Sequence, residues 1–284
     1  MSQPATGRRA RNRVARHDQL MLAAGEILAV EGLEGLTMMA VADRVGCAVG
    51  TIYTYFDSKS ALLSALQSEA IQRLMGTYHA AAEMWEVHLD DSEVDETTAA
   101  LARAIAMGRL FVAAGDLHPR EFEMLQMLIT IKQDLTTNAD RDAVLPVALA
   151  FLNDIRAVID GAVEAEALRP CGDTAYAGSE SPPDSSFDRT LRWIGAMNGA
   201  LLVSNVGIDP DRIDPVIFDG RRLALSLAHD LLLAWGADPD KLAAAHNLVD
   251  KMHNAGQLLP VAPSRDAIES VATETDPSTP GDPG

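Results

Sequence analysis

TMMAVADRVGCAVGTIYTYFDSKSALLSAL, Thr37 to Leu66, carries the clearest structural pattern of this 284-residue chain. Apolar side chains recur at the helical period up to Val45, and Gly46 then breaks the run. A second short helix follows, in which Ile52 and Phe56 lie four residues apart and form the inward pair. This order of helix, tight turn and helix predicts a helix-turn-helix unit.

Two further helices are predicted on either side of this unit. The first begins at Asp18 and ends at Gly32, a residue type that readily adopts the left-handed conformation of a helix end. Thr37 is the expected N-cap of the second helix, and Ser58 is the expected N-cap of the fourth. The fourth helix runs to about Ala81, so at roughly 1.5 Å per residue it spans about 30 Å and links a small head to a larger body.

The rest of the chain also has helical periodicity and almost no strand-like alternation. The predicted fold is therefore all-α: an N-terminal three-helix helix-turn-helix head, joined by a fourth helix to a larger helical ligand-binding and dimerisation body. The expected parts are a flexible basic arm, the head, the regulatory and dimerisation domain, and a disordered tail. They comprise residues 1–17, 18–60, 61–258 and 259–284, with a flexible loop at about 171–188.

The formal charge is divided unevenly along the chain. Residues 1–76 carry +1 and the remainder carries -19, within a total of -18. Five arginines precede the first acid, a pattern typical of an arm that binds a polyanion: Arg8, Arg9, Arg11, Arg13 and Arg16. Because the acidic remainder would repel nucleic acid, we expect any DNA contact at the N-terminal end.

The composition also bears on the compartment. No run approaches the 18 or so apolar residues of a membrane helix, and the N-terminus lacks the apolar segment of a secretory signal. We therefore expect a cytoplasmic, nucleoid-associated protein with no membrane partner. Cys47 and Cys171 lie far apart and outside any zinc-binding spacing, which favours two reduced thiols in small apolar roles.

Residues 37–66 resemble the DNA-binding head of the TetR family of bacterial transcriptional regulators. In that family a threonine or serine opens the second helix, an Ile-Ala or similar pair follows, and a glycine turn leads to a G-T-L-Y-x-H/Y-F recognition helix and a lysine. The matching elements here are Thr37, Val41-Ala42, Gly46, the run from Gly50 to Phe56, and Lys59. The resemblance implies a homodimer that binds double-stranded DNA and, in its body, a small-molecule effector.

A recognition helix with a small and polar outer face can enter a major groove about 12 Å wide. Hydroxyl groups and the free N–H groups of helix N-termini can bind phosphate without formal charge. The expected DNA-binding residues are Thr37, Val49, Gly50, Thr51, Tyr53, Thr54, Tyr55, Lys59, Arg13 and Arg16. Ala48 and Val49 depart from the family pattern, because they remove an N-cap oxygen and a cation, and the arginine arm is the expected replacement.

Recognition of two half-sites requires two heads, so the dimer surface should lie in the body. Gly195 and Gly199 lie four apart in a small-residue strip that would let another helix approach closely. Leu223, Leu227 and Leu231 form a second stripe. In family members two late helices from each subunit form the interface. The alternative, that both stripes are buried within one subunit, stays open at this point.

The effector is expected to contact apolar and methionine side chains of the body, since methionine adapts to variable ligands. The expected ligand-binding residues are Met107, Phe111, Met124, Met127 and Leu128. At these spacings the same residues are also consistent with plain core. An apolar compound is the default expectation, and its identity is not readable from the sequence.

Two groups of histidines and acids raise the possibility of other functions. His79 with Glu83, and His88 before several acids, could suggest a metal site or an acid–base pair, but no HExxH, glycine-rich phosphate loop or nucleophile motif is present. We therefore predict no enzyme activity, no cofactor and no metal. The expected function is a repressor released from a palindromic operator by its effector. The alternatives are a constitutive or architectural DNA-binding protein without inducer, and a metal-responsive regulator.

Overall fold

A computed structural model describes residues 5–130, 138–172, 184–203 and 219–260. These ranges contain ten helices and no strand, so the predicted all-α fold is confirmed. The helices are α1 (Ala5–Gly35), α2 (Met38–Val45), α3 (Val49–Ile52), α4 (Lys59–Asp90), α5 (Glu96–Leu117), α6 (Pro119–Thr130), α7 (Asn138–Glu164), α8 (Ser186–Val203), α9 (Gly220–Ala234) and α10 (Pro239–Asn254). Most of the loop predicted near 171–188, and all but the first two residues of the tail predicted from 259, lie outside the described residues.

The head is formed by α1, α2, α3 and the first turns of α4. Its apolar cluster, which we call the head core, has Leu20, Ile27, Val41, Ile52 and Leu62 at its centre, each fully or almost fully buried. These are the inward positions that helical spacing predicts. Burial of this stripe gives each short helix the stability that its length alone would not provide.

Helix ends in the head follow the local sequence. The Thr37 hydroxyl accepts from the backbone N–H of Ala40 at 3.0 Å, and the Ser58 hydroxyl accepts from Ala61 at the same distance, so both predicted N-caps are confirmed. Gly46 adopts φ 69 at the end of α2. This positive φ favours glycine, and the turn into α3 depends on it.

Three boundaries differ from the prediction. Helix α1 begins at Ala5 rather than Asp18, because residues 8–17 contain no proline or glycine that would stop a helix growing toward the N-terminus. Helix α4 continues to Asp90, since Ala81, Trp85 and Leu89 extend its buried face at a spacing of four residues. Helix α3 ends at Ile52, and turn hydrogen bonds carry the chain on to Phe56.

The body is built around α5. This helix contacts α4, α6, α7, α8, α9 and α10, and its side chains form much of the second apolar cluster, the body core. Within the described part of the chain, α5 alone is long and apolar enough to cross a membrane, but 72% of that apolar window is buried inside the body. It therefore has the burial of a core helix.

The end of the described chain is fastened to the body. The indole Nε1 of Trp85 in α4 donates to the carbonyl oxygen of Leu258 at 2.8 Å, and both side chains are buried. Arg189 at the start of α8 is also buried, where its guanidinium binds Asp184 and the carbonyls of Arg169 and Pro170. These bonds satisfy polar groups that would otherwise be costly to bury.

Candidate nucleic-acid interface and body cavity

The short helix α3 presents a bare outer face. Ile52 and Phe56 are buried in the head core, as their spacing predicts, and so the opposite face is turned to solvent. Gly50 is exposed, with no atom within 4 Å of the position that a Cβ would occupy. Tyr53 is 51% exposed, and Thr54 is also exposed. The face is therefore unobstructed and carries hydroxyl groups.

The caps of α2 and α3 differ in chemistry. The Thr37 oxygen holds the first turn of α2, and its hydroxyl hydrogen remains able to donate to an incoming group. Ala48 caps α3 with an extended backbone but provides no side-chain hydrogen bond. The predicted loss of a cap at Ala48 is thus present in the structure, next to half-buried Val49.

A concave surface of about 390 Å³ lies between the first turns of α1 and the end of α3. Its lining combines three arginines with amide and hydroxyl groups: Arg9, Asn12, Arg13, Arg16, Thr51, Thr54 and Tyr55. The Arg13 guanidinium lies over the Tyr55 ring at 5.6 Å, which orients the cation. Such a cluster of guanidinium and hydroxyl donors matches the chemistry of a phosphate group.

Arg9 and Asn12 were missed as site residues by sequence reasoning. Arg9, Arg13 and Arg16 have i, i+4, i+7 spacing, so they share one face of α1. The spacing of the three arginines indicates a shared face only when the segment is helical. Because the segment was expected to be a flexible arm, the shared face was not predicted. The structure brings these arginines beside Thr51 and Tyr55, which were predicted.

Lys59 was expected to contact DNA, but its ammonium group forms a hydrogen bond within the head. Its ammonium group donates to the carbonyl oxygen of Leu33 at 2.7 Å, and the contact is partly buried. This bond ties the first turn of α4 to the end of α1 and satisfies a carbonyl that the helix leaves open. A role of Lys59 in DNA binding stays a prediction.

The body contains a narrow apolar cavity of about 40 Å³ between α4, α5, α6, α7 and α8. Met107 and Phe111, two of the predicted ligand residues, line it. Phe111 meets Phe122 and Trp193 edge to face, with ring centroids 5.5 and 5.7 Å apart. Such edge-to-face contacts are favourable for aromatic rings. The walls therefore form an aromatic box.

Met124 and Met127 lie elsewhere. Met124 is buried in the head core and Met127 packs against it, so the side of α6 that carries them faces the head rather than the cavity. Phe122 and Leu125, from the same helix, line the cavity instead. The side chain of the remaining predicted residue, Leu128, lies outside the described part of the chain.

Three polar residues beside the cavity were not foreseen. Thr77, Tyr78 and Asp154 belong to its lining, although the surface that faces the cavity is almost entirely apolar. Asp154 Oδ2 lies 2.9 Å from His79 Nε2, and Thr77 Oγ1 lies 2.8 Å from His118 Nε2. Burial, and then the nearby carboxylates of Asp154 and Glu86, raise the pKa of Tyr78 to about 12. The phenol is therefore neutral at ordinary pH.

The predicted dimer residues fall into two groups. Gly195 and Gly199 on α8 are exposed, and no atom lies within 4 Å of the position of an added Cβ. Leu223, Leu227 and Leu231 on α9 are half-buried and pack against the body core. Exposed apolar side chains continue the α8 face: Phe187, Leu191 and Leu202. This face is unpartnered in the single chain.

Among the described residues, no group of three or more His, Cys, Asp or Glu side chains could hold a metal ion. His79, considered for a metal site, pairs with Asp154. His88 is partly buried, and its Nδ1 has no hydrogen-bond partner in the described ranges.

Comparison with known proteins finds a family model that matches the head and solved structures with a similar fold. Residues 20–66 match the family model for bacterial regulatory proteins, tetR family. The uncharacterized HTH-type transcriptional regulator YvdT of Bacillus subtilis (strain 168) is 30% identical over 86 residues, which cover 29% of this chain and 43% of that protein. The chain therefore matches less than half the length of this curated relative.

Solved structures resemble a larger part of the chain. A TetR transcription regulator from Haloarcula marismortui has a TM-score of 0.55 at 16% identity, over 78% of this chain and 98% of that one. A protein of unknown function from Rhodococcus sp. RHA1 has a TM-score of 0.53 at 16% identity, over 77% and 94%. At such identities the likeness concerns the fold alone.

Proposed function

Residues 20–66 match the family model for bacterial regulatory proteins of the tetR family, and from that match we propose that the protein is a dimeric, effector-responsive transcriptional regulator. It binds a palindromic operator as a repressor and leaves the operator when a small, largely apolar molecule occupies the body. It acts in the cytoplasm, on the nucleoid. The observation that carries this proposal is the concave surface where Arg9, Arg13 and Arg16 flank the end of α3.

Charge and shape of the head support the DNA contact. The bare face at Gly50 and Thr54 enters the major groove, while the three arginines of α1 bind the phosphates of the strand beside it. Thr37 donates its free hydroxyl hydrogen to a phosphate next to α2. This arrangement supplies cations close to α3, where Val49 replaces a basic residue.

The exposed face of α8 supports dimerisation. Large apolar side chains near both ends of α8, Phe187, Leu191 and Leu202, face solvent together with Gly195 and Gly199 between them. Burial of exposed apolar area at about 25 cal/mol per Å² favours association. Helix α9 packs on α8 within the subunit, with Leu223, Leu227 and Leu231 half-buried against the body core.

Helix α6 supports the effector response, because it lies between the body cavity and the head core. One face of this helix lines the body cavity through Phe122 and Leu125, and another face packs on the head core through Met124. An ion pair between Arg73 of α4 and Glu121 of α6, at 3.2 Å, adds to the same contact. A ligand that shifts α6 would therefore change the packing between body and head.

The test is selection of bound fragments from a library of genomic DNA, followed by footprinting of the selected sites. A palindromic footprint, together with a dimer in sedimentation at micromolar concentration, would support the proposal. A monomer that protects only one half-site would contradict it. Binding that no compound reverses would favour the constitutive or architectural alternative.

A further inference from the structure

The helix-turn-helix unit has few of the side chains that identify single bases. Direct recognition in the major groove commonly uses arginine or lysine on guanine, and asparagine or glutamine on adenine. Residues 37–60 contain no asparagine, glutamine, glutamate or histidine, and their two basic residues are Arg44 and Lys59. Recognition of bases by paired hydrogen bonds from this unit would therefore depend on these two cations.

Both cations are engaged within the head. The Arg44 guanidinium pairs with Glu26 at 3.3 Å and with Glu31 at 3.4 Å, and both glutamates belong to α1. The Lys59 ammonium group donates to the carbonyl oxygen of Leu33 at 2.7 Å. The two positive charges are thus directed to α1, and the outer face of α3 is left without a cation.

The two carboxylates of the unit are not on that face either. An aspartate can accept a hydrogen bond from cytosine. In a helix-turn-helix, however, the N-terminal residues of the second helix contact the base edges, while the first helix crosses the DNA backbone. Asp43 belongs to α2, and Asp57 follows the turn after α3. Neither lies at the N-terminal end of α3.

The side chains that project from α3 and its following turn offer mainly carbon. The Thr54 hydroxyl donates to the carbonyl oxygen of Thr51 at 2.6 Å, so its hydrogen is already used and its methyl group remains. Val49 is half-buried, and Tyr53, four residues later, is 51% exposed. A tyrosine hydroxyl both donates and accepts, so it does not by itself distinguish one base from another.

The glycine in the middle of this face has no role within the free protein. The φ of Gly50 is not positive, and no atom lies within 4 Å of the position that a Cβ would occupy. Neither the backbone nor the packing therefore requires glycine, and alanine would favour the helix. A glycine at such a position allows the backbone to approach another molecule closely.

Thymine is the base that matches such a surface. It carries a methyl group in the major groove, and apolar side chains recognise it by direct contact. We propose that α3 recognises its half-site through thymine methyl groups, which pack against Val49, Tyr53 and Thr54 while Gly50 lets the helix come close. The operator then has A·T pairs opposite α3. This inference rests on the proposed function, in which the head binds an operator.

The methyl contact is tested with synthetic duplexes of an operator selected from genomic DNA. Deoxyuridine in place of thymidine removes only the methyl group. One such replacement opposite α3 in both half-sites should weaken binding of the full chain on the order of tenfold in fluorescence anisotropy, because each lost methyl contact is worth about fourfold. Replacing purines by their 7-deaza forms removes the N7 acceptor that arginine, asparagine and glutamine bind, and should leave the affinity unchanged.

Two outcomes would overturn the inference. One is full affinity for every deoxyuridine duplex, and the other is a loss of about tenfold with a 7-deaza purine opposite α3, which would show recognition by hydrogen bonds. Failure to select any DNA fragment would remove the proposed function and this inference with it. A selected operator that tolerates deoxyuridine would remove this inference alone.

Thr54→Ser locates the contact on the protein, since it removes one methyl group and keeps the hydroxyl that bonds to Thr51. The ratio of affinities for the thymidine and deoxyuridine operators should fall toward one. Thr97→Ser is the matched control, because Thr97 of α5 also donates its hydroxyl to a backbone carbonyl, that of Ala165 at 3.1 Å. It should keep the full ratio. An unchanged ratio in Thr54→Ser would contradict the assigned contact.

Gly50→Ala tests the close approach. It should keep or raise the thermal midpoint of the free protein but weaken operator binding on the order of tenfold, because the added methyl group holds α3 away from the bases. Gly76→Ala on α4 is the control, since Gly76 is equally open and lies outside the head. It should have the same effect on the thermal midpoint and none on operator binding. Unchanged operator binding by Gly50→Ala would overturn the close approach.

Discussion

The head and the body of this protein are both helical, but their functional side chains are arranged differently along the chain. The proposed DNA surface draws on residues 9–55, within one continuous segment. The body cavity takes its walls from five helices, between Leu74 and Trp193. The first can be interpreted from local spacing, whereas the second exists only after distant helices pack. The following predictions test this difference.

The largest effect is expected at the arginines of α1. Replacing Arg9, Arg13 and Arg16 together with alanine should weaken operator binding on the order of a hundredfold at moderate salt, because about three phosphate contacts are lost. The slope of log K against log salt should become shallower by about 2.7. Fluorescence anisotropy over a salt series measures both quantities.

Arg8→Ala is the control for that variant, since Arg8 belongs to the same segment but does not line the concave surface. It should change the affinity far less than Arg9→Ala does. If the two single variants weaken binding equally, general charge and not the geometry of α1 is responsible.

The second prediction separates the two cores. Ile52 of the head and Leu101 of the body are both fully buried, so alanine at either position should cost about 3 kcal/mol of local stability. All three tryptophans lie in the body core. Urea unfolding followed by tryptophan fluorescence should therefore detect Leu101→Ala but barely detect Ile52→Ala, which should instead abolish operator binding.

An equal shift of the tryptophan transition in both variants would mean that head and body unfold as one unit through α4. Far-UV circular dichroism on the same samples reports the loss of helix in the head. Head and body would then differ in how their functional side chains are arranged along the chain, but they would share one unfolding transition.

The third prediction concerns the missing cap. Ala48→Ser should stabilise α3 by about 1 kcal/mol and strengthen operator binding, because it provides both an N-cap oxygen and a phosphate donor. Ala48→Asp should give a similar stability in urea but weaken operator binding, since its carboxylate repels phosphate. Weaker DNA binding by both variants would place Ala48 in a tight contact with DNA.

The smallest effect is a pH dependence in the body. His246 of α10 lies 3.0 Å from His229 of α9, and burial, then His229, then Arg109 lower its pKa, although Asp250 raises it. Below the ordinary value of 6.5 the unfolded chain therefore binds more protons than the folded one. The free energy of unfolding should fall as the pH drops through this region.

His246→Gln should flatten that decline, and His253→Gln, at an exposed position of the same helix, should not. Thermal midpoints between about pH 5 and 8 measure the difference. A decline that persists in His246→Gln would assign it to other groups.

Some details of the head were nevertheless not predictable. The direction of Lys59 depends on the carbonyl of Leu33, which lies far away in sequence and close in space. The helical start of α1 at Ala5 was missed because the arginine cluster was interpreted as a charged arm. In both cases the local sequence was compatible with two conformations, and packing selected one of the two.

From the sequence one can derive the periodic stripes, the caps at Thr37 and Ser58 and the glycine turn at Gly46, because each depends on residues within a few positions of one another. Which methionines line a cavity is a different matter. Met107 faces the aromatic box and Met124 faces the head, although both have the spacing of a buried stripe. Helical periodicity predicts that a side chain is buried, but the rotation and packing of whole helices select what it is buried against.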